Sequence, residues 1–305
     1  MYKYFRMNYS SYFSKNFDKL EQKELSLVKG LQRSSTANDV DIIITSSDTM
    51  PATIPRSAKL IIHPNSGYDK FDLNWLKDRD IPVIVGSPIR QVAVSEYYLS
   101  CIFHHFSPLP VKKEWDERRE WKRKLLKDQK VLIYGYGHIG QYLEKALINL
   151  TKEITISDPF KKPKNEIQDL ENFDIIISAF GLNESTRDFF SSDFFSNCKS
   201  DVLFLHASRG CQINIDSLKS YLAKNNNATA YVDVFPEEPY DLASIDLPNL
   251  HCSCHIAGVY EKIEENLIEF EKEVLVDYIS KTLEDFKLKY KEQNLNERKD
   301  HSFLI

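Results

Sequence analysis

The chain has 305 residues, of which 42% are hydrophobic and 28% are charged, and its formal net charge is -5 at pH 7. This length allows two domains with separate cores. The negative charge argues against a nucleic-acid-binding protein, which needs a basic face. The opening MYKYFRMNYSSYFSKNF lacks the apolar core of a signal peptide, and no apolar run approaches the roughly 20 residues of a membrane span. The five cysteines are an odd number, and we expect reduced thiols in a cytoplasmic protein without a membrane partner.

Short apolar runs recur along the chain, with helical segments between them. The predicted strands are 41–45, 59–63, 82–86, 130–135, 153–157, 173–180, 201–208, 228–235 and 249–255. Several are apolar throughout, which is typical of parallel strands covered on both faces. Helical spacing predicts helices at 138–150, 214–226 and 262–283. The alternation of strand and helix predicts a doubly wound α/β architecture.

Two segments do not follow this alternation. The charged stretch 111–130 separates the first three predicted strands from the rest, and we expect a solvated loop or helix between domains. About the first 40 residues show no pattern that predicts an element.

A glycine-rich loop follows the fourth predicted strand. In KVLIYGYGHIGQYLEKAL, Gly135, Gly137 and Gly140 have the GxGxxG spacing, with His138 and Ile139 between the last two. After a strand and at the start of a helix, this spacing is typical of a dinucleotide-binding loop, because the glycines allow a tight turn, a close approach to the pyrophosphate and close packing of helix on strand. The helix N-terminus also attracts the phosphates. We therefore predict that this loop binds a nicotinamide dinucleotide.

Asp158 ends the next predicted strand, EITISD. A carboxylate at that place accepts hydrogen bonds from the ribose hydroxyls of NAD and repels the extra phosphate of NADP. The alternative is an ordinary turn residue. The sequence thus predicts NAD as the cofactor and NADP as the less suitable one.

Three polar residues follow predicted strands at their carboxyl ends, where parallel sheets bind ligands. They are Arg209 after DVLFLHAS, Glu238 after AYVDVF, and His255 at the end of NLHCSCH. An Arg holds a carboxylate with two hydrogen bonds, a His exchanges a proton near neutral pH, and a carboxylate beside the His orients it. Each residue alone could be an ordinary surface, turn or capping residue, but the three together predict an active site.

The cofactor loop and three later motifs, in this order, resemble the D-isomer-specific 2-hydroxyacid dehydrogenases. HASRGCQINIDSL resembles the N-x-x-R-G motif of that family, VDVFPEEP its D-V-F-x-x-E-P motif, and HIAGVYEKIEEN its H-x-A-G motif. The resemblance runs from about residue 40 to residue 280. Three positions depart from the family pattern: its usual Asn is His206, and its usual His and Pro are Ala179 and Gly181.

The resemblance implies an NAD-dependent oxidoreductase that interconverts a small 2-oxo acid and a D-2-hydroxy acid. Arg209 is then expected to bind the substrate carboxylate and His255 to act as acid and base, tuned by Glu238. Asp233 and position 207, which is Ala207, are expected to contact the cofactor, and a loop at Ser66, Gly67 and Tyr68 to bind the substrate.

The resemblance also implies a domain organisation. A Rossmann-type NAD-binding domain, 92–275, is expected to be inserted into a smaller flavodoxin-like substrate domain formed by 1–91 and 276–305. A helix starting near Val92 is expected to help form a homodimer. A non-enzymatic NAD-sensing protein of the same fold is the alternative function.

The segment HCSCH, at 251–255, contains four good ligands for a soft metal. In an extended strand, however, His251, Ser253 and His255 face one side, while Cys252 and Cys254 face the other. Four ligands on two faces cannot surround one ion. We therefore predict no metal site, and expect both cysteines to act as small buried hydrophobic residues.

Overall fold

The architecture is seen in a computed structural model of the chain that describes residues 1–10, 13–71, 73–121, 123–158 and 169–298. The chain folds as two compact units. One contains Met1–Arg90 and the described residues from Val259 onward, and the other contains Gln91–Gly258. The second unit is thus inserted into the first, and the chain returns to the first unit before the predicted residue 276.

The first unit contains a five-stranded parallel sheet. Its elements in the first part of the chain are β1 (Tyr2–Arg6), α1 (Phe17–Leu25), β2 (Leu31–Arg33), β3 (Ile42–Ile44), β4 (Leu60–His63), α2 (Leu73–Arg79) and β5 (Val83–Val85). The strand order is β2-β1-β3-β4-β5, with every neighbouring pair parallel. This is the flavodoxin-like order, and the predicted fold class is confirmed.

Strand β1 buries a cluster of charged side chains. Arg6 lies between the carboxylates of Glu21 on α1 and Glu271 on a later helix, and all three side chains are 0% exposed. The guanidinium Nε is 3.1 Å from Glu21 Oε1, and Nη2 donates to Glu271 Oε1 at 2.5 Å. Because an uncompensated buried charge is costly, these ion pairs are what permits an arginine to point into the core.

The second unit contains a six-stranded parallel sheet. Its elements are α3 (Gln91–Phe106), β6 (Lys130–Tyr134), α4 (His138–Leu147), β7 (Glu153–Ser157), β8 (Ile175–Ser178), α5 (Ser192–Ser196), β9 (Leu203–His206), α6 (Ile215–Lys224), β10 (Thr229–Val232) and β11 (Leu250–Cys252). The order is β11-β10-β9-β8-β6-β7, and all pairs are parallel. The chain order reverses at β6, which is where a doubly wound sheet opens a crevice for a ligand.

The core of this sheet is apolar on both faces because its central strands, β6, β8 and β9, are largely apolar and buried. Leu132, Ile176 and Phe204 contribute to one side, and Ile133 and Ile177 to the other.

Helix α3 contributes Tyr98 to the second of these cores. Its hydroxyl donates to the Ser178 carbonyl oxygen at 2.5 Å and accepts from the Ala207 N–H at 2.8 Å. Tyr98 thereby ties the helix to the carboxyl ends of β8 and β9.

The charged segment predicted to lie between domains belongs to the second unit. The described residues between α3 and β6 form no helix or strand apart from one short turn at Leu126–Asp128, and Val111 and Trp115 are largely exposed. The prediction of a solvated segment is correct and its placement between domains is wrong, because the division falls at Arg90 and Gln91, before α3.

The last two helices return to the first unit. They are α7 (Ile263–Ser280) and α8 (Leu283–Lys289). Ile268, Leu275 and Phe286 pack with the residues of β3 and β4 in one apolar cluster, which explains why the whole of α7 belongs to this unit. None of the helices in the described ranges is long and apolar enough to cross a membrane.

Candidate active site

The glycine loop forms the tight turn that its spacing predicts. Gly135 has φ +99, in the left-handed region, and an added Cβ would lie 2.4 Å from the Ala179 carbonyl oxygen. A Cβ at Gly140 would lie 2.1 Å from the Gly135 carbonyl oxygen. Both positions therefore require glycine, and the close approach places the N-terminus of α4 directly beyond β6. Since Gly137 is the N-cap residue of α4, the loop fits the pyrophosphate of a dinucleotide.

The predicted cofactor residues around this loop have different environments. Asp158 is buried, and its Oδ2 accepts the Tyr136 N–H at 2.7 Å, so it holds the loop at the end of β7. The His138 carbonyl oxygen accepts from Gln91 Nε2 at 2.9 Å. The Ile139 side chain packs against the core, so only its main chain is suited to contact phosphates.

His255 and Glu238 are joined by a hydrogen bond between their side chains. The distance from His255 Nδ1 to Glu238 Oε2 is 2.8 Å, and the two side chains are 53% and 37% exposed. The other carboxylate oxygen, Oε1, accepts the Phe235 N–H at 3.0 Å. The carboxylate is thus anchored on the turn after β10 and holds one ring nitrogen, which leaves Nε2 for proton exchange.

The turn that carries His255 is held by Asp233. Asp233 Oδ1 accepts the Ile256 N–H at 2.8 Å, and Oδ2 accepts the Ala257 N–H at 2.9 Å. The His255 N–H donates to the Asp233 carbonyl oxygen at 2.7 Å, and His255 has φ +56. Three hydrogen bonds to one residue therefore keep the histidine in a left-handed conformation that side chains rarely adopt.

Ser253 extends this network to α3. Its hydroxyl donates to Asp233 Oδ1 at 2.6 Å and lies 2.8 Å from the Tyr97 hydroxyl. Neither Tyr97 nor Ser253 was predicted to belong to the site. Nothing in their local pattern marks them, because the link depends on which side chains the sheet brings together.

Arg209 follows β9 in an extended conformation and is half-buried. Its Nη1 donates to the Ser208 carbonyl oxygen at 2.7 Å. Ala207 offers no polar side chain, and its N–H is already bound to Tyr98; the neighbouring Ser208 hydroxyl instead bonds the Ser178 carbonyl oxygen at 2.8 Å. The Ala207 N–H is therefore engaged within the fold, and the cofactor contact at position 207 stays a prediction.

The predicted substrate loop lies in the first unit, after β4. The His63 Nε2 is 2.7 Å from the Gly67 carbonyl oxygen, and its Nδ1 is 2.8 Å from the Thr45 hydroxyl. Tyr68 is buried in the apolar core of that unit, and Ser66 is half-buried. A buried histidine thus fixes the turn whose N–H groups were predicted to bind a carboxylate.

The segment 251–255 is not a continuous strand. Strand β11 ends at Cys252, and the chain bends from Ser253 to His255, so the alternation of faces applies only to the first residues of the segment. Cys254 is exposed, contrary to the prediction, whereas burial raises the pKa of the Cys252 thiol to about 11. Within the ranges that the structure describes, no three His, Cys, Asp or Glu side chains are grouped to hold a metal ion.

Comparison with known proteins identifies the family of the chain. Residues 103–257, just over half of the chain, match the model of the D-isomer specific 2-hydroxyacid dehydrogenase, NAD binding domain. The chain belongs to this family. The second unit is therefore the NAD-binding domain of a D-isomer specific 2-hydroxyacid dehydrogenase family member, and NAD is its cofactor.

Individual relatives within the family are distant. Erythronate-4-phosphate dehydrogenase of Hahella chejuensis is 30% identical over 200 residues, which are 63% of this chain and 48% of the relative. Hydroxypyruvate reductase of Thermotoga maritima is 26% identical over 221 residues, covering 66% of this chain and 71% of the relative. The chain spans 48% to 65% of the length of the erythronate-4-phosphate dehydrogenases that it matches.

The fold extends over nearly the whole chain. The crystal structure of a glyoxylate reductase from Paecilomyes thermophila has a TM-score of 0.74 at 18% identity and covers 92% of this chain and 96% of its own. At this identity the likeness shows the fold alone.

Proposed function

We propose that the protein is an NAD(H)-dependent oxidoreductase that interconverts a 2-oxo acid and a D-2-hydroxy acid. The observation that carries the proposal is the His255–Glu238 pair beyond β10 and β11, in a domain that binds NAD. Arg209, beyond β9, adds a cation at the same edge of the sheet. An acid–base pair and a carboxylate-binding cation beside a nicotinamide are the groups that this reaction needs.

The proton transfer is assigned to His255. NADH, which the Gly135–Gly140 loop would hold, would supply the hydride that reduces the keto carbon, and the carbonyl oxygen would gain negative charge as the C=O bond becomes single. His255 donates the Nε2 proton to that oxygen and becomes neutral, which yields the hydroxy acid. Glu238 accepts the Nδ1–H throughout, so it orients the ring and balances the charge of the imidazolium.

The substrate carboxylate is assigned to Arg209 and to the main chain of Ser66–Tyr68. A guanidinium matches a carboxylate with two parallel hydrogen bonds and also polarises the neighbouring carbonyl group. Asp233 is proposed to contact the nicotinamide amide in addition to its turn. The substrate is proposed to be a small 2-oxo or 2-hydroxy acid, and dimerisation through α3 stays a prediction.

The test is NADH oxidation with a panel of 2-oxo acids that includes glyoxylate, pyruvate, hydroxypyruvate and phosphorylated acids. We expect turnover with at least one member, and a loss of about 100-fold or more in kcat for His255→Ala. Arg209→Ala should mainly raise KM. Cys254→Ala is the matched control, because Cys254 is exposed beside His255 and is assigned no role.

Two results would contradict the proposal. One is full activity of the His255 or Arg209 variant. The other is tight NADH binding with no turnover of any 2-oxo acid, which would favour an NAD-sensing protein.

A further inference from the structure

Gln212 lies three residues after Arg209 and is 0% exposed. Its Nε2 donates to the carbonyl oxygens of Phe180 at 3.1 Å and Gly181 at 2.8 Å. Its Oε1 accepts the Arg209 N–H at 3.2 Å. One buried amide therefore joins the turn after β8 to the main chain of Arg209, and each of its polar atoms is engaged.

The carbonyl group of Arg209 is held as well. Its oxygen accepts the Gln212 N–H at 3.0 Å and lies 3.0 Å from His206 Nε2. Burial lowers the pKa of His206 to about 4, so the ring is neutral at physiological pH and donates through Nε2. Both main-chain polar groups of Arg209 thus have buried side-chain partners.

The turn after β8 is in contact with the cofactor loop. The space that a Cβ of Gly135 would need is occupied by the Ala179 carbonyl oxygen and, at 2.8 Å, by the Phe180 nitrogen. The Gly181 carbonyl oxygen also accepts from the Thr186 hydroxyl at 3.0 Å. A continuous path of close contacts therefore runs from Gly135 through this turn and Gln212 to Arg209.

We propose that Gln212 is a positioning residue that couples the dinucleotide loop to Arg209. Its amide holds the 180–181 turn against Gly135 and fixes the main chain from which the Arg209 side chain extends. Loss of the amide is expected to weaken cofactor binding and substrate binding together. The substrate part rests on the proposed function, whereas the cofactor part requires only that the domain binds NAD(H).

The first measurement is NADH affinity by fluorescence for Gln212→Met, which keeps the length of the side chain and removes its polar atoms. We expect the Kd for NADH to rise about threefold to tenfold, as for the loss of one buried hydrogen-bonding group. Cys211→Ala is the matched control in the same turn, because the Cys211 thiol lies 3.8 Å from the Pro236 carbonyl oxygen, which is a weak contact. Its Kd should equal that of the unchanged protein.

The second variant, Gln212→Glu, separates positioning from a general loss of structure. An ionised carboxylate accepts from Arg209 but donates nothing to the turn, whereas a protonated one donates once. The Kd of Gln212→Glu should therefore approach that of the unchanged protein as the pH falls from 8.5 to 6, while the Kd of Gln212→Met keeps a constant ratio to it. This pH profile also tests the positioning role of Gln212 if Gln212→Met does not fold.

The third measurement is KM for an accepted 2-oxo acid, which should rise in Gln212→Met with kcat changed less. Unchanged NADH affinity in folded Gln212→Met, or a Gln212→Glu profile parallel to that of the unchanged protein, would overturn the coupling. Failure to turn over any 2-oxo acid would reject the proposed function and leave the NADH result as the test of Gln212.

Discussion

The buried cluster of Arg6, Glu21 and Glu271 predicts an unusual dependence of stability on pH. Two carboxylates face one guanidinium, and all three side chains are 0% exposed. Burial raises the pKa of Glu271 from 4.5 to about 7. The Arg6 guanidinium opposes this shift and Glu21 adds to it, but the loss of solvent dominates.

The direction in which stability changes with pH follows from proton uptake by Glu271. Between about pH 4.5 and pH 7 the folded chain holds a proton on Glu271 that the unfolded chain has released. The free energy of unfolding therefore falls as the pH rises through this window, and the stabilisation present below it is lost above the folded-state pKa. The rise in the pKa of Glu271 from 4.5 to about 7 corresponds to about 3 kcal/mol in the free energy of unfolding.

Glu271→Gln removes the titrating group and leaves one Arg with one Glu. We expect its free energy of unfolding to be close to that of the unchanged protein at pH 5 and about 3 kcal/mol higher at pH 8. Urea unfolding at a series of pH values, followed by intrinsic fluorescence, measures the difference, and effects common to both proteins cancel.

The matched control is Glu24→Gln, which removes a carboxylate from the same helix pair. Glu24 pairs with Lys272 at 3.0 Å in a partly exposed position, so its replacement should cost less than about 1 kcal/mol at both pH values. The two free energies of unfolding, of Glu271→Gln and of the wild-type protein, should differ more at pH 8 than at pH 5. The same difference at both pH values would refute the assigned titration of Glu271.

Three further predictions concern the second unit. Gly140→Ala should raise the Kd for NADH at least about tenfold in a binding titration, because its Cβ would meet main chain at 2.1 Å; an unchanged Kd would show that the loop does not hold the cofactor. Glu238→Gln should lower kcat about tenfold to 100-fold while NADH affinity stays constant, since the amide keeps the length but not the charge at 2.8 Å from His255; equal kcat values would remove Glu238 from the mechanism. Ser253→Ala should lower the free energy of unfolding by about 1 kcal/mol, seen as a lower melting temperature, and should reduce kcat/KM, because Asp233 loses its 2.6 Å hydrogen bond. Ser253→Thr keeps the hydroxyl and should preserve both the melting temperature and kcat/KM.

The sequence predicts those elements that depend on local pattern. Most of strands β3 to β11 are short, mainly apolar runs, and the glycine loop is set by three glycines within six positions, so both are visible in a short window. Strand β1 was missed because Arg6 interrupts its apolar pattern. The partner that makes this burial possible, Glu271, is 265 residues away and has no local signature.

The same limit applies to the candidate site. The motifs identified Arg209, Glu238 and His255, because each is a reactive side chain just after a strand. The segment at His255 was predicted to be extended and is a turn instead. The prediction failed because the turn is held by the Asp233 carboxylate, which follows the neighbouring strand β10 and has no local signature near His255. Gln212 likewise gains its importance only from carbonyl groups that the fold places beside it.

The contact between Asp158 and the cofactor loop limits how this protein could be re-engineered to prefer NADP. Replacing Asp158, the acidic residue predicted to face the ribose, is the obvious first step, since it would remove the repulsion of the extra phosphate. The Asp158 carboxylate accepts the Tyr136 N–H at 2.7 Å, so a small or basic substitute would leave that partly buried N–H without its acceptor. A successful redesign would keep an oxygen at position 158, as in Asp158→Asn, and add the phosphate-binding cation elsewhere.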